Sequence, residues 1–148
     1  MFCVNELKNR HLALYPLDGI DKNKLVAVEN ALSIKLPNDF CEIAQFYSGG
    51  MLGDVSIYSF NIEDVDNIVG KTEFLRKTIN LPNDFILLSE PDESIIVMNV
   101  KDSNIFWIDA TDAENLQSGS FESSPDTWET FADFFAELLT QEENDNAG

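Results

Sequence analysis

A single histidine, two cysteines and a large excess of carboxylates are the residues of this 148-residue chain with chemistry to offer. A Ser-His-Asp triad would have to draw its base from His11, the only histidine. That residue stands in Lys8-Asn9-Arg10-His11-Leu12 with no nucleophile signature around it, and reads as a surface or partly packed side chain. The sequence holds no Gly-x-Ser-x-Gly elbow, no Walker lysine loop and no Gly-x-Gly-x-x-Gly fingerprint. Cys3 and Cys41, with one histidine, make neither a disulfide framework nor a zinc site. Cys41 lies in an apolar helical pattern and reads as a small buried hydrophobe.

The carboxylates number 27, so some pair falls at any chosen spacing. The densest set of oxygen ligands, Asp109-Ala110-Thr111-Asp112-Ala113-Glu114, lacks the ligand spacing and distant bidentate glutamate of an EF-hand, and reads as a solvated acidic loop. General acid–base work needs one carboxyl in an apolar pocket, which spacing does not disclose. Trp107 and Trp128 keep phase with the hydrophobic pattern of their neighbours and read as core rather than as a ligand platform. Phe131, Phe134 and Phe135 read as a helix-to-sheet contact. The expectation is a protein with no catalytic centre, no metal and no cofactor.

The elements that would carry these residues follow from periodicity. Leu25, Val28 and Leu32, behind a capping Asp21, predict one amphipathic helix. Phe40, Ile43, Ala44 and Tyr47 predict a second, started by Pro37 and stopped by Gly49-Gly50. Val55, Ile57, Tyr58 and Phe60 read as a strand. A helix is expected from about Glu63 to Thr78, with Val65, Ile68, Val69, Leu75 and Ile79 inward. Phe85–Leu88, Ile95–Met98 and Ile105–Ile108 follow as strands whose short connections favour an antiparallel meander, because a parallel pair needs a crossover of a dozen or more residues. Residues 110–124 read as a loop, and a closing helix is expected from Pro125, capped by Asp126 or Thr127 and with Trp128 among its inward residues. Residues 141–148 are polar and predict a frayed acidic tail. Leu36-Pro37-Asn38-Asp39-Phe40 recurs as Leu81-Pro82-Asn83-Asp84-Phe85; five residues are too few for a duplicated fold, and both read as turns with a hydrophobic anchor at each end. Helix pair, meander and closing helix together give an α+β domain spanning 1–148.

Charge is unevenly placed. The net charge is −18, from 9 Lys and Arg against the acidic residues. Residues 1–82 hold 8 basic and 11 acidic residues, a net of −3; residues 83–148 hold Lys101 alone against 16, a net of −15. Such a chain repels nucleic-acid phosphates. Its 44% hydrophobic content argues against disorder. The segment Met1-Phe2-Cys3-Val4-Asn5-Glu6-Leu7-Lys8 lacks a secretory h-region, and no apolar run approaches the roughly 18–20 residues that span a bilayer. A cytoplasmic protein with no membrane segment is expected.

The order of elements resembles the SUKH superfamily, of bacterial immunity proteins and fungal regulators of cell-wall glucan synthesis. Three places carry the resemblance: Ile20 to Gly50, with Val28-Glu29, Leu36-Pro37, Phe40 and Gly49-Gly50; Ile105-Phe106-Trp107-Ile108-Asp109; and Thr127-Trp128-Glu129-Thr130-Phe131. A glycine common in the family's middle sheet is replaced in this chain by Glu93-Ser94. The resemblance implies no shared catalytic constellation and, for the bacterial branch, binding and neutralisation of a cognate toxin, often a nuclease, inside the producing cell.

A nuclease needs a basic surface, and a one-signed acidic inhibitor would meet it fast. The expected partner is therefore a basic protein toxin, and the expected contacts are Asp92, Glu93, Asp102, Asp109, Asp112 and Glu114, on loops beside the meander strands. The alternatives are a non-immunity adaptor of the same fold, whose acidity only confers solubility, and a carboxylate-dependent hydrolase.

Overall fold

A computed structural model describes residues 3–147. Met1 and Phe2, from the segment read as lacking a secretory signal, and Gly148, the last residue of the acidic tail, lie outside the described residues. The architecture is α+β: N-terminal helices, an antiparallel sheet meander and a C-terminal helix.

Three helices come first: α1 (Val4–Leu12), α2 (Lys22–Leu32) and α3 (Asn38–Ile43). The second and third are the expected pair, with Leu25, Val28 and Leu32 buried on one and Phe40 and Ile43 on the other, but α3 ends at Ile43, short of the expected Ala44, Tyr47 and the Gly49-Gly50 stop. The first was not anticipated, because only Leu7 and His11 are buried on it and two positions make no visible stripe. The Leu-Pro connection is held from behind: the Leu36 N–H donates to the Glu29 carboxylate at 2.8 Å.

A hairpin follows, β1 (Gly50–Leu52) with β2 (Val55–Ile57), paired antiparallel. Gly50 therefore begins a strand. Gly53 and Asp54, at φ +51° and +60°, make the tight turn, and a Gly-Asp pair between apolar residues is the local signal for such a hairpin. Helix α4 (Ile68–Thr78) starts later than periodicity suggested. Asn67 is its cap, accepting the Gly70 N–H at 2.9 Å while its own amide donates to the Asp64 carbonyl. Val65, expected inward, precedes the helix and is 95% exposed.

The meander comprises β3 (Phe85–Ser89), β4 (Ser94–Asn99), β5 (Ile105–Asp109) and β6 (Asp126–Trp128), in that order and all antiparallel. Both faces of the sheet are covered, which is why its strands read as unbroken apolar runs. Ile86, Leu88, Ile96, Met98 and Ile105 face the main core with α2, α3 and α5 residues; Phe85, Leu87, Ile95, Val97 and Ile108 face a smaller core with Leu75, Leu81, Ala113 and Leu116. A short 3-10 helix, Ala110–Asn115, opens the stretch read as a loop.

The last segment corrects two expectations. Asp126–Trp128 is the fourth strand, with Ile105 opposite Trp128, and α5 (Phe131–Ala147) starts only after it. Three of its free N–H groups are taken: Phe131 donates to the Ser103 hydroxyl, Ala132 to the Asp39 carboxylate and Asp133 to the Thr130 hydroxyl. Trp128 reaches the core from the strand, its ring 4.8 Å from that of Phe134. The tail read as frayed is helical to Ala147, because its acids find partners: Arg10 pairs with Glu143 at 2.6 Å, and the Gly53 N–H donates to Glu142 at 2.9 Å.

Candidate functional site

The six expected contacts do not form one patch. Pairing of Ser94 with Asp109, and donation of the Ala110 N–H to the Glu93 carbonyl at 3.1 Å, bring Asp92, Glu93 and Asp109 to one end of the sheet. All three are exposed, as is Glu114 on the 3-10 helix that leaves the same strand end. Asp102 is in the β4–β5 turn at the opposite end, the length of β4 away, about 20 Å at roughly 3.3 Å per residue. Its carboxylate is spent on that turn, accepting from the Asn104 N–H and side-chain amide.

Asp112 faces inward. It is 1% exposed and accepts from the Glu122 N–H, the Asn115 side chain and the Ser123 N–H, tying the 110–124 segment down beside Ala113, Leu116 and Phe121. Those hydrogen bonds, the Glu122 N–H foremost, hold its carboxyl below the usual aspartate range. A side chain so placed holds the loop together rather than facing solvent.

Glu93 has φ +57° in the β3–β4 turn, closed by donation of the Ser94 N–H to the Pro91 carbonyl at 2.8 Å. Glycine takes that conformation without steric cost and glutamate does not. Glu93 is thus held at the tip of the acidic end.

Residues with no functional mark in the sequence complete this end. A groove of about 400 Å³ runs between the β1–β2 hairpin and the β3–β4 turn, lined by Met51, Asp54, Val55, Tyr58, Glu90, Pro91 and Asp92, among others. The Tyr58 hydroxyl donates to Glu90 at 2.8 Å, fixing that carboxylate. Burial first, and Glu90 second, raise the phenol above its ordinary range and keep it protonated. Lys71 lies 5.1 Å from the centroid of the Tyr58 ring and pairs with Asp66. The Gly53-Asp54 turn signal could have located the hairpin wall; its approach to β3 has no mark in the sequence.

A second groove, between α2 and α3, is lined by Ile20, Leu25, Val26, Leu36 and Cys41, with Lys22 and Lys35 as well as Glu29 and Glu42. Its charge is mixed. Cys41 is half-buried there, and burial pushes its thiol up, away from reactivity. His11 is buried against Tyr15, Phe46, Tyr47 and Phe135, with ring centroids 5.6–6.1 Å away and an unpartnered Nδ1. It is more enclosed than its polar surroundings in sequence suggested. Among the described residues no three His, Cys, Asp or Glu side chains are grouped to hold a metal ion, and no helix is long and apolar enough to cross a membrane.

Comparison with known proteins places the chain. The SUKH_5 family model, described as SMI1-KNR4 cell-wall, matches residues 2–140. No curated protein matches the sequence.

Proposed function

The chain belongs to the SUKH superfamily, and on that premise we propose that it is an immunity-type protein, one that binds and neutralises a basic, nuclease-like toxin inside the cell that makes it. The observation that carries this reading is the gathering of Asp92, Glu93 and Asp109 at one exposed end of the sheet, with Asp54 and Glu90 beside them in the adjoining groove. A nuclease must present cations to bind phosphates. An anionic end of one sign steers such a surface into register and occupies it, with charge setting the on-rate and partner choice. No step requires a catalytic group of this chain; inhibition by occlusion needs only that the complex outlast the encounter.

A toxin-coding frame beside the gene would supply the partner for a test. The product of an adjacent toxin-coding frame is mixed with the purified protein, and its activity is followed against increasing protein. Loss of toxin activity at a one-to-one ratio is the expected result. A toxin that stays active at a tenfold excess, with no complex on gel filtration, contradicts the reading and leaves the adaptor.

A further inference from the structure

We infer that the groove between the β1–β2 hairpin and the β3–β4 turn receives one extended, lysine- or arginine-bearing segment of the partner protein, its cations meeting Asp54 on one wall and Glu90 and Asp92 on the other while an aliphatic side chain lies against Met51. This rests on the reading of the partner as a basic protein. It adds where that partner inserts, and with what.

The groove is not purely acidic, because part of its lining is apolar. Met51 is 65% exposed, and the half-buried Pro91 and Tyr58 continue the apolar part, whereas Val55 is already buried in the core. Its polar floor is already satisfied, since the Ser89 hydroxyl donates to the Ser56 carbonyl at 2.7 Å. An incoming chain therefore covers apolar surface without stranding a buried donor.

Its walls are fixed before a partner arrives. Gly53 has the Leu138 carbonyl 2.6 Å from where a Cβ would stand, and its N–H donates to Glu142. The Gln141 amide donates to the Asp54 carboxylate at 2.8 Å. On the other wall Tyr58 holds Glu90. Groups held in place lose little conformational freedom on binding.

Charge selects the occupant. Among the described residues neither Asp54, Glu90 nor Asp92 has a lysine or arginine within ion-pair distance, and the nearby Lys71 is engaged by Asp66 and the Tyr58 ring. The α2–α3 groove has Lys22 and Lys35 in its lining and so offers a cationic segment no comparable field. Complementarity thus favours a basic segment in the hairpin groove over the α2–α3 groove.

The test uses the full chain and the peptide acetyl-Gly-Lys-Leu-Lys-Gly-amide, titrated while backbone amide shifts are recorded, with the Glu-Leu-Glu peptide as control. Shifts are expected at Met51, Asp54, Glu90 and Asp92, with none from the control. Asp92→Lys combined with Met51→Ser should weaken binding at least fivefold, whereas Asp102→Lys, which changes net charge as Asp92→Lys does but at the far end of the sheet, should leave it within twofold. Shifts centred elsewhere, or equal loss from Asp102→Lys, overturn the groove. The peptide needs no toxin, so the two readings fail separately. A neutralised toxin indifferent to the groove variants removes this inference alone, and a peptide bound in the groove of a protein that inhibits no toxin removes the immunity reading alone.

Discussion

The Asp39 carboxylate accepts the Ser103 hydroxyl, at 3.0 Å to one oxygen and 3.2 Å to the other, while the Ala132 N–H donates to it at 2.9 Å. The Ser103 hydroxyl in turn accepts the Phe131 N–H. One acid of α3, one turn of the meander and the first turn of the closing helix are thereby joined. The orphan donors and positive end of α5 meet the negative charge they favour.

Asp39→Ala should therefore destabilise the fold by about 2 kcal/mol, the scale of hydrogen bonds to a charged group. That corresponds to a fall of roughly 4–8 °C in melting temperature for a domain of this size. Asp84 holds the same place in the repeated pentapeptide but makes only a surface pair with Lys101 at 3.3 Å. Asp84→Ala should cost less than about 0.5 kcal/mol. Thermal melts of the two variants side by side check the contrast.

Glu93→Gly should raise stability by about 1 kcal/mol, because glycine adopts φ +57° without the Cβ clash. The same change should slow association with the proposed partner, since it removes a charge from the acidic end of the sheet. Denaturant unfolding and binding kinetics on one preparation separate the two effects; a variant that is no more stable contradicts the strain.

Stability should fall as pH drops from about 7 toward 5. Burial lowers the His11 pKa from the ordinary 6.5, with the Asp18 charge opposing in part. The unfolded chain therefore takes up a proton that the folded chain resists. The contribution is complete above the unfolded value and is lost progressively below it. His11→Phe should remove that slope in a pH series of melts. Further acid should cost more, because Tyr15 lowers the Glu142 carboxyl and Arg10 lowers that of Glu143; their contribution is present above the unfolded glutamate range and lost as pH falls through the folded values.

Asp112→Ala should release residues 110–124, seen as faster proteolysis after Leu116, with no change in partner association. Its oxygens face Asn115, Glu122 and Ser123, not solvent. Slower association in this variant, with the loop still protected, would put Asp112 back in the interface.

Elements that bury a stripe or both faces were legible in the sequence. Leu25, Val28 and Leu32 mark α2, and the runs of β3, β4 and β5 mark a sheet covered twice. Starts and ends set by distant partners were not. The α5 start depends on Asp39, 93 residues before Ala132, and its end on Arg10, 133 residues before Glu143, so neither boundary shows in local spacing. In the sequence β6 reads as helix because Trp128 and Phe131 suit either period, and only the Ile105–Trp128 pairing separates them. At the site, charge located the acidic strand ends but could not tell the inward Asp112 from the outward Asp109, nor bring Asp54 beside Asp92.

The most direct measurement is the association rate of the cognate toxin with Asp92→Lys/Glu93→Lys/Asp109→Lys, followed from low to physiological salt beside Asp102→Lys. Association at least tenfold slower is expected for the triple variant, with a flattened salt dependence, beside near-native kinetics for Asp102→Lys. Native kinetics in the triple variant, or an equal loss in both, would contradict docking by Asp92, Glu93 and Asp109.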